Sequence, residues 1–481
     1  NDSFLSKIII GQIGSKVAVF VISLSNLRIN MSNHDDIEEA LKSQTLRVCV
    51  VGIGRIGLPT ALLFAKSGLN TIGVDINENL IQDINSGICP LKDEPGIEEI
   101  FNDVIKNKKF STTTKIEDAV PNSDLILLSL PTPMDENNIP DYSALRSVAT
   151  KLSEILSPNS LVIVESTIEP GFIEDEMIST IVKSTRLKIG ENFFIGVCPE
   201  NANPGEILHD FTNLPRLVGG INNHVTKIIK MIYDFVFSVE LVEMPNCKTA
   251  NAVKLTTNVF RDINIAFISE LSLMFEKLGI DTMKVLDAAK KKYNFQVHYP
   301  GAGVGGPCLP INSYQLLNTA RRTGVKLGII ESGRKINEKM PDHVIDLISD
   351  AFRESNIRLD GSDILIFGVS YKPNVKDIQL TPAEHIIEKL KNLGANVHIY
   401  DPYFTSTKIF GIDTLTTIPD ENILKTMNAA VIVTGHDSFK SFKISNFSLM
   451  KNPILIDTRG IFEPRDAKNA NLIFRGLGRG D

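Results

Sequence analysis

Residues 46–76 join a short β-branched run, a glycine-rich turn, an apolar helical stretch and a second β-branched run. The successive pieces read LRVCVVGIG, LPTALLFAKSG and NTIGVDI. Parallel strands need a crossover of a dozen or more residues, usually a helix, so this alternation indicates a βαβ unit. The strands are apolar almost throughout, which is typical of a sheet covered on both faces. The segment therefore predicts a doubly wound α/β domain.

The same alternation continues along the chain and returns near its end. Strands of the first domain are predicted at 124–130, 160–167 and 193–200, and those of a second α/β domain at 362–371, 395–403, 429–437 and 452–460. Between them, residues 246–278 carry apolar residues at helical spacing with no proline or glycine, and a further helical region covers about 313–355. We predict two doubly wound Rossmann-like α/β domains, joined by a long central helix and a helical region.

The first residues of the chain are interpreted separately. Residues 8–23 are apolar but are interrupted by Gln12 and Lys16, and the stretch is too short to span a bilayer. A signal peptide is the alternative, but no A-x-A-like cleavage site follows, and Met31 lies where an ordinary start codon could be. We treat residues 1–45 as an N-terminal extension of undetermined status.

Composition limits the classes of partner. The formal charge of −7 leaves no basic excess to neutralise nucleic acid or an anionic membrane surface, so neither is expected as a partner. The five cysteines are odd in number, widely spaced and never in a CxxC pair, so we expect neither a disulfide framework nor a zinc site. This cysteine usage favours a reducing, cytoplasmic compartment.

The turn after the first strand carries the pattern G-x-G-x-x-G, formed by Gly52, Gly54 and Gly57 with Ile53 between the first two. Such glycines allow a tight turn, close approach of the backbone to a pyrophosphate, and close packing of helix on sheet. Asp75, at the end of the next strand, can accept both ribose hydroxyls. No arginine follows it, so NAD is favoured over NADP as the cofactor.

Cys308 lies in the segment YPGAGVGGPCLP (299–310), where small residues keep other side chains away from the thiol. A buried small hydrophobe is the alternative reading. The following INSYQLLNTARR predicts a helix whose start Asn312 or Ser313 could cap. A thiol near a helix N-terminus has its thiolate stabilised, so the pattern favours a nucleophile.

Two further groups of residues are candidates. Lys254 and Asn258 are one turn apart on the long helix, in apolar surroundings that favour an inward orientation over a solvated surface pair. The ends of predicted strands carry Thr132, Ser166, Thr167 and Glu200. Each alone is more often a cap or turn residue, but ligands of doubly wound sheets bind beyond the carboxyl ends of strands.

From residue 46 to about 465 the chain resembles the UDP-glucose/GDP-mannose dehydrogenase family. The motifs that carry the resemblance occur in the family's order: GxGxxG with Asp75, LPTP, EST, CPEN, KLTTN, GAGVGGPCLP, GRKINEKMP, GVSYKP and DTRG. The resemblance implies an NAD-binding domain (46–240), a central helical dimerisation domain with the catalytic cysteine loop (241–358) and a C-terminal UDP-sugar-binding domain (359–481). A homodimer or higher homo-oligomer is expected.

The reaction that the resemblance implies is oxidation of a sugar C6 hydroxyl to a carboxylate, with two NAD consumed and a Cys308 thiohemiacetal and thioester on the way. Lys254 and Asn258 would stabilise the oxyanion at C6, while Thr167 and Glu200 would handle protons or order the water. The resemblance also implies six residues that contact the substrate. These are Glu200, Lys254, Asn258, Gly301, Gly305 and Lys372. Such uronates serve surface polysaccharide or glycan synthesis.

The chain departs from the family's pattern at three positions. Asn312 replaces an aspartate and cannot act as a base, so hydrolysis would rely on Glu200 or Lys254. Gln379 replaces an arginine implied to reach the cofactor. Asn294, with Lys291 and Lys292 nearby, stands where an arginine often reaches the sugar across the dimer.

The segment FRDINIAFISELSL (260–273) is similar to the branch that oxidises UDP-N-acetylhexosamines. UDP-N-acetyl-D-mannosamine is the first choice of substrate, with UDP-N-acetylglucosamine next and UDP-glucose the alternative outside that branch. Two other functions stay open. A dehydrogenase that makes one hydride transfer would not need Cys308, and a catalytically impaired sugar-nucleotide-binding homologue would fit the changes at Asn312 and Gln379.

Overall fold

The computed structural model describes residues 6–13, 16–23, 28–183 and 185–479. They divide into two compact units. The first comprises the described residues up to Thr132 and Tyr142–Lys254, and the second Pro133–Asp141 and the described residues from Leu255 onward. Residues 1–5, 14–15 and 24–27 of the predicted N-terminal extension lie outside the described residues.

Seventeen strands are found in these ranges. They are β1 (Ser6–Ile13), β2 (Lys16–Ser23), β3 (Arg47–Val51), β4 (Asn70–Val74), β5 (Phe110–Thr113), β6 (Leu125–Leu128), β7 (Ser160–Val164), β8 (Phe193–Val197), β9 (Arg216–Gly220), β10 (Leu241–Met244), β11 (Asp363–Phe367), β12 (Asn396–Tyr400), β13 (Lys408–Ile409), β14 (Ile412–Asp413), β15 (Ala429–Ile432), β16 (Ile454–Asp457) and β17 (Ile473–Gly476).

The same ranges hold seventeen α-helices. They are α1 (His34–Lys42), α2 (Gly57–Lys66), α3 (Glu78–Asn85), α4 (Ile97–Lys106), α5 (Ile116–Ala119), α6 (Ser143–Ile155), α7 (Ile178–Val182), α8 (Ile207–Asn213), α9 (Asn223–Val236), α10 (Cys247–Lys277), α11 (Thr282–Ala289), α12 (Leu309–Thr323), α13 (Gly328–Glu354), α14 (Pro382–Asn392), α15 (Glu421–Leu424), α16 (Asp437–Lys440) and α17 (Pro464–Asn469).

The first unit is built on an eight-stranded sheet in the order β10-β9-β8-β7-β6-β3-β4-β5. Successive residues of β3 point into different cores, because Val48 and Val50 belong to one hydrophobic cluster and Cys49 and Val51 to another. This alternation explains why the strand is apolar at every buried position, as the sequence predicted for a sheet covered on both faces. In this unit β1 and β2 form a separate antiparallel pair.

One reversal breaks the parallel arrangement of the first sheet. Strand β9 runs antiparallel to β8, with Gly196 opposite Gly220 and Val197 opposite Gly219, and β10 follows the direction of β9. The amino end of β9 therefore lies at the edge where β8 has its carboxyl end. The strands predicted from the sequence do not include β9 or β10, so this reversal was not predicted.

The second unit has a five-stranded parallel sheet in the order β12-β11-β15-β16-β17, and β11 again alternates between two cores. The predicted strands at 362–371, 395–403, 429–437 and 452–460 are β11, β12, β15 and β16. Helix α10 confirms the predicted long helix and contains the boundary between the two units. Within the described ranges every helix falls short of the length or the apolarity that a membrane span requires.

Candidate active site

The glycine turn after β3 is shaped by close backbone contacts. Gly52 has φ +87°, and a Cβ there would lie 2.6 Å from the Ser129 carbonyl oxygen. A Cβ on Gly57, the first residue of α2, would lie 1.8 Å from the Gly52 carbonyl oxygen. Backbone atoms therefore occupy the space that a side chain would need at both positions. The absence of side chains lets α2 begin close to the end of β3.

The middle glycine differs from its neighbours. Gly54 is exposed, and a Cβ there would meet nothing within 4 Å, so the space beside it is open for a ligand. Asp75 follows β4, and its Oδ2 accepts the Ile53 N–H at 3.1 Å while Oδ1 accepts the Asn77 N–H at 3.0 Å. An open glycine at a helix start, with a fixed carboxylate at the next strand end, fits the pyrophosphate and ribose of a dinucleotide.

The strand ends beyond β6 and β7 are held together by side-chain hydrogen bonds. The Ser166 hydroxyl accepts the Leu130 N–H at 2.9 Å and donates to the Leu130 carbonyl oxygen at 2.7 Å. The Thr132 hydroxyl donates to the Thr167 carbonyl oxygen at 3.0 Å. Thr132, Ser166 and Thr167 therefore lie side by side at the carboxyl edge of the sheet, as the sequence predicted.

Glu200 lies beyond the end of β8, and both of its carboxylate oxygens contact neighbouring groups. Its Oε1 accepts the N–H groups of Asn201 and Ala202 at 2.6 and 2.9 Å, and its Oε2 lies 2.6 Å from a guanidinium nitrogen of Arg216. The same nitrogen lies 3.4 Å from Oε1 of Glu165. Burial alone would lower the pKa of Arg216, but the Glu200 carboxylate together with the neighbouring Cys198, Glu165 and Tyr233 outweighs it, and the pKa is raised.

Lys254 and Asn258 are both buried on α10, with 6% and 9% of their surface exposed, so a solvated surface pair is wrong. The Lys254 ammonium donates to Oδ1 of Asn201 at 2.9 Å. Within the second unit, Asn258 donates to Oδ1 of Asn312 at 2.6 Å, and Asn312 donates to Gln315 at 3.0 Å. Asn312 therefore fixes the amide of Asn258.

Cys308 is the exposed member of the five cysteines, all of which lie in described residues. Burial raises the pKa of the other four thiols, Cys49, Cys89, Cys198 and Cys247. The reading of Cys308 as a buried hydrophobe is wrong. Cys308 is therefore the accessible thiol among the five.

Helix α12 begins earlier than predicted, because Cys308 itself is its N-cap residue and the Asn312 N–H donates to the Cys308 carbonyl oxygen at 2.9 Å. The predicted cap at Asn312 or Ser313 is wrong. Both are buried in the first turns, where the Ser313 hydroxyl donates to Asp262 at 2.7 Å. Pro310 at the second helical position fits this earlier start, since proline is favoured in the first turn.

The glycine loop before Cys308 packs closely on other parts of the second unit. A Cβ on Gly305 would lie 2.2 Å from the Leu380 carbonyl oxygen, and a Cβ on Gly301 would lie 2.4 Å from the guanidinium of Arg459. The Gly306 N–H donates to the Gln379 carbonyl oxygen at 2.9 Å. The loop thus needs glycine for its own packing. That Gly301 and Gly305 also line a sugar-nucleotide site stays a prediction.

Lys372 is carried by the loop after β11, which a buried acid and histidine hold in place. Asp401 accepts the Val369 N–H at 2.8 Å and lies 3.0 Å from Nε2 of His436, whose Nδ1 accepts the Asn374 N–H at 3.0 Å. Burial alone would raise the pKa of Asp401, but the hydrogen bonds from His436 and from the N–H groups of Val369 and Tyr403 together outweigh it, and the pKa is lowered. The loop is therefore fixed on both sides of Lys372.

Sequence reasoning did not identify four residues that stand at these sites: Glu165, Asn201, Arg216 and Arg459. Glu165, Asn201 and Arg459 lie within the motifs EST, CPEN and DTRG, and their place in these motifs was the available signal. Arg216 had none, because its role depends on the reversal of β9. Of the departures, Asn294 lies in an exposed turn with Lys291 and Lys292, and Gln379 contributes its backbone oxygen to the glycine loop.

A doubly wound domain with this glycine turn and acid, followed by a glycine loop with an accessible thiol, defines an NAD-dependent oxidoreductase. Three models of the UDP-glucose/GDP-mannose dehydrogenase family match the chain in succession: the NAD binding domain at 46–236, the central domain at 248–339 and the UDP binding domain at 365–464.

Relatives and solved structures agree with these matches. The chain is 33% identical to UDP-N-acetyl-D-mannosamine dehydrogenase from Pyrococcus horikoshii over 91% of this chain and all of the relative. It is 30% identical to UDP-N-acetyl-D-glucosamine 6-dehydrogenase from Pseudomonas aeruginosa over 83% of this chain and 93% of the relative. A solved UDP-D-ManNAc dehydrogenase from Pyrococcus horikoshii superposes with a TM-score of 0.83, covering 91% of this chain and all of that one at 33% identity.

The chain belongs to the UDP-glucose/GDP-mannose dehydrogenase family. The predicted resemblance, the α/β fold and NAD as cofactor are thereby confirmed, and the protein is an NAD-dependent UDP-sugar dehydrogenase.

Proposed function

We propose that the protein oxidises the C6 hydroxyl of UDP-N-acetyl-D-mannosamine to the uronate through a covalent intermediate on Cys308. The observation that carries this proposal is the exposure of the Cys308 thiol at the end of a glycine loop, while burial raises the pKa of every other cysteine. A dehydrogenase that stops at the aldehyde has no use for such a thiol.

The first oxidation removes a proton from the C6 hydroxyl and a hydride from C6, which leaves an aldehyde. The Cys308 thiolate then adds to the aldehyde carbon and forms a thiohemiacetal, so the aldehyde is held and cannot leave. Loss of the thiohemiacetal hydroxyl proton and of a second hydride from the same carbon gives a thioester. Water attacks the thioester, and the carboxylate departs as the thiol is regenerated. NAD, when bound, would supply the hydride acceptor for each oxidation, and we assign its binding to Gly52, Ile53, Gly54, Gly57, Asp75, Thr132 and Thr167.

Lys254 and Asn258 are assigned to the oxyanion that develops at C6. A buried ammonium and a buried amide suit this role, because donors in a water-poor site interact strongly with developing charge. Asn312 cannot take a proton, so we assign it the positioning of Asn258, to which it is hydrogen-bonded at 2.6 Å. Thr167 and Glu200 stand at the sheet edge where water would be ordered, and Lys372, Gly301 and Gly305 are assigned to the UDP-sugar.

The choice of sugar follows the relatives, whose printed names include UDP-N-acetyl-D-mannosamine dehydrogenases and UDP-N-acetyl-D-glucosamine 6-dehydrogenases. UDP-N-acetylglucosamine is the second candidate. The divisions proposed for the chain are an NAD domain at 46–240, a central helical dimerisation domain at 241–358 and a UDP-sugar domain at 359–481. We place the reaction in the cytoplasm, since none of the cysteines is paired, and expect a homodimer.

The test is incubation of the purified protein with NAD and a panel of UDP-sugars, with NADH read by absorbance and product by mass. We expect UDP-N-acetyl-D-mannosamine to be preferred, two NADH per sugar, and uronate as the product. Cys308→Ser should make no uronate, while Cys89→Ser, a change at a buried cysteine, should keep the two-to-one ratio. One NADH per sugar from the wild type, or undiminished uronate from Cys308→Ser, would refute the covalent route.

A further inference from the structure

A chain of polar contacts in the first unit runs from Arg216 to Lys254. Arg216 lies 2.6 Å from Oε2 of Glu200. The other oxygen of Glu200 accepts the N–H of Asn201, which is thereby fixed at its backbone. The side-chain oxygen of Asn201 accepts from the Lys254 ammonium at 2.9 Å. Each link is a hydrogen bond or ion pair between groups that are buried or partly buried, so the four residues form one continuous polar chain.

The reversal of β9 creates this arrangement. In the antiparallel register of β8 and β9, Val197 is opposite Gly219. Continued past the strand end, the same register brings residue 200 opposite residue 216. Arg216 is the first residue of β9, so the reversal delivers a basic side chain to the edge where parallel strands deliver their carboxyl ends. An entirely parallel sheet would place this arginine at the opposite edge.

The guanidinium is held by more than Glu200. It lies 4.9, 5.3 and 4.3 Å from the ring centroids of Phe211, Tyr233 and Phe237. Glu165 lies on its remaining side and is itself held by the Tyr233 and Ser129 hydroxyls, each donating at 2.7 Å. Aromatic faces and a second carboxyl group restrict the arginine to one orientation. A rigid base of this kind is what a precisely placed lysine requires.

Oε1 of Glu200 accepts two backbone N–H groups, and Oε2 forms the ion pair with Arg216. Contacts on both oxygens hold the carboxylate in one orientation. Its contacts suit the fixing of neighbours better than the abstraction of a proton.

We propose that Arg216 is a positioning residue that acts through Glu200 and Asn201 to orient the Lys254 ammonium toward the reacting carbon. The inference rests on the proposed function, in which Lys254 stabilises the oxyanion at C6. It assigns Glu200 to the support of the lysine, and it predicts that loss of Arg216 affects turnover rather than substrate binding.

The test compares Arg216→Met and Asn201→Ala with Asn201→Asp, by steady-state kinetics with the UDP-sugar and NAD. Asn201→Ala removes the side-chain oxygen that accepts from Lys254 and leaves the ion pair of Arg216 and Glu200 intact, so it decides the question even if Arg216→Met does not fold. Both changes should lower kcat by about 10- to 100-fold, the range for loss of one hydrogen bond to a charged group, with KM changed less than about threefold. Asn201→Asp keeps the acceptor and should stay within about threefold of wild type.

Arg47→Met is the matched control. Arg47 opens β3 of the same sheet, and its guanidinium pairs with the buried Asp124 at 2.7 Å on the amino side of that strand. It should lower thermal stability with kcat within about twofold of wild type. In a Lys254→Met background, Asn201→Ala should cause no further loss, because its effect passes through the lysine.

The proposal is overturned if Asn201→Ala and a folded Arg216→Met keep kcat within about twofold of Arg47→Met. It is equally overturned if Asn201→Ala lowers the activity of Lys254→Met by the same factor as that of wild type. Failure of the proposed function is distinguishable, because it appears in the wild-type protein itself as the absence of uronate from every UDP-sugar of the panel.

Discussion

Two glycines of one turn should respond in opposite ways to the same added methyl group. A Cβ on Gly57 would lie 1.8 Å from the Gly52 carbonyl oxygen, where ordinary van der Waals contact begins at 3.4 Å. Backbone must therefore move, and we expect Gly57→Ala to lower the free energy of unfolding by about 3 kcal/mol or more. For a domain of this size that is a fall in Tm of roughly 6–12 °C.

Gly54→Ala meets no protein atom within 4 Å, and the residue has no left-handed φ. The apoprotein should keep its stability to within about 1 kcal/mol, with a small gain possible from the stiffer unfolded chain. The methyl group would instead occupy space needed by the pyrophosphate. Loss of one backbone hydrogen bond to a charged ligand predicts NAD binding weakened by about 10- to 100-fold.

The assays are thermal unfolding of each apoprotein and calorimetric titration with NAD. The wild type and the two variants form a complete comparison, because the added group is the same and the positions are three residues apart in one turn. Wild-type NAD affinity in Gly54→Ala would refute the placement of the cofactor, and equal stability of the two variants would refute the packing argument.

Two other changes test the second unit. The pKa of Asp401 is lowered in the folded protein, so its ionised form stabilises the fold above its unfolded pKa and this contribution is lost as pH falls through the folded pKa. Asp401→Asn should therefore lower Tm most at neutral pH, and its Tm should fall less steeply than that of wild type as the pH drops below about 4. An equally steep fall of Tm in both proteins would contradict the assignment. Asn312→Asp keeps an acceptor for Asn258 and should hold kcat within about threefold, whereas Asn312→Ala should lower kcat by about fivefold to tenfold, as steady-state kinetics would show. Equal rates in the two variants would remove Asn312 from the positioning of Asn258.

The fold was largely predictable because each element carries a local pattern. Strand β3 and helix α2 follow from the β-branched run and the glycine turn, and α10 follows from the apolar spacing of 246–278. The predicted start of α12 at Asn312 or Ser313 is too late, because these polar residues suit a helix cap as well as a buried first turn. Pro310 is the local signal for the earlier start. Strand direction has no local signature, so the reversal of β9 could not be read from the chain.

The candidate site was predictable where a motif supplies both the residue and its neighbours. Cys308 follows from its glycine loop, and Asp75 from its distance to the glycine turn. Arg216 and Glu200 are brought together by pairing between strands, and Asn258 meets Asn312 from 54 positions away. Such contacts join residues that are far apart in sequence, so local motifs do not reveal them.

The covalent intermediate can be measured directly by intact-protein mass spectrometry after rapid acid quench of enzyme, UDP-N-acetyl-D-mannosamine and NAD. The account predicts a transient adduct with the mass of the UDP-uronyl group, located on the peptide that contains Cys308, lost on treatment with hydroxylamine and absent from Cys308→Ser. Formation of uronate at full rate with the Cys308 peptide unmodified at every quench time would contradict it.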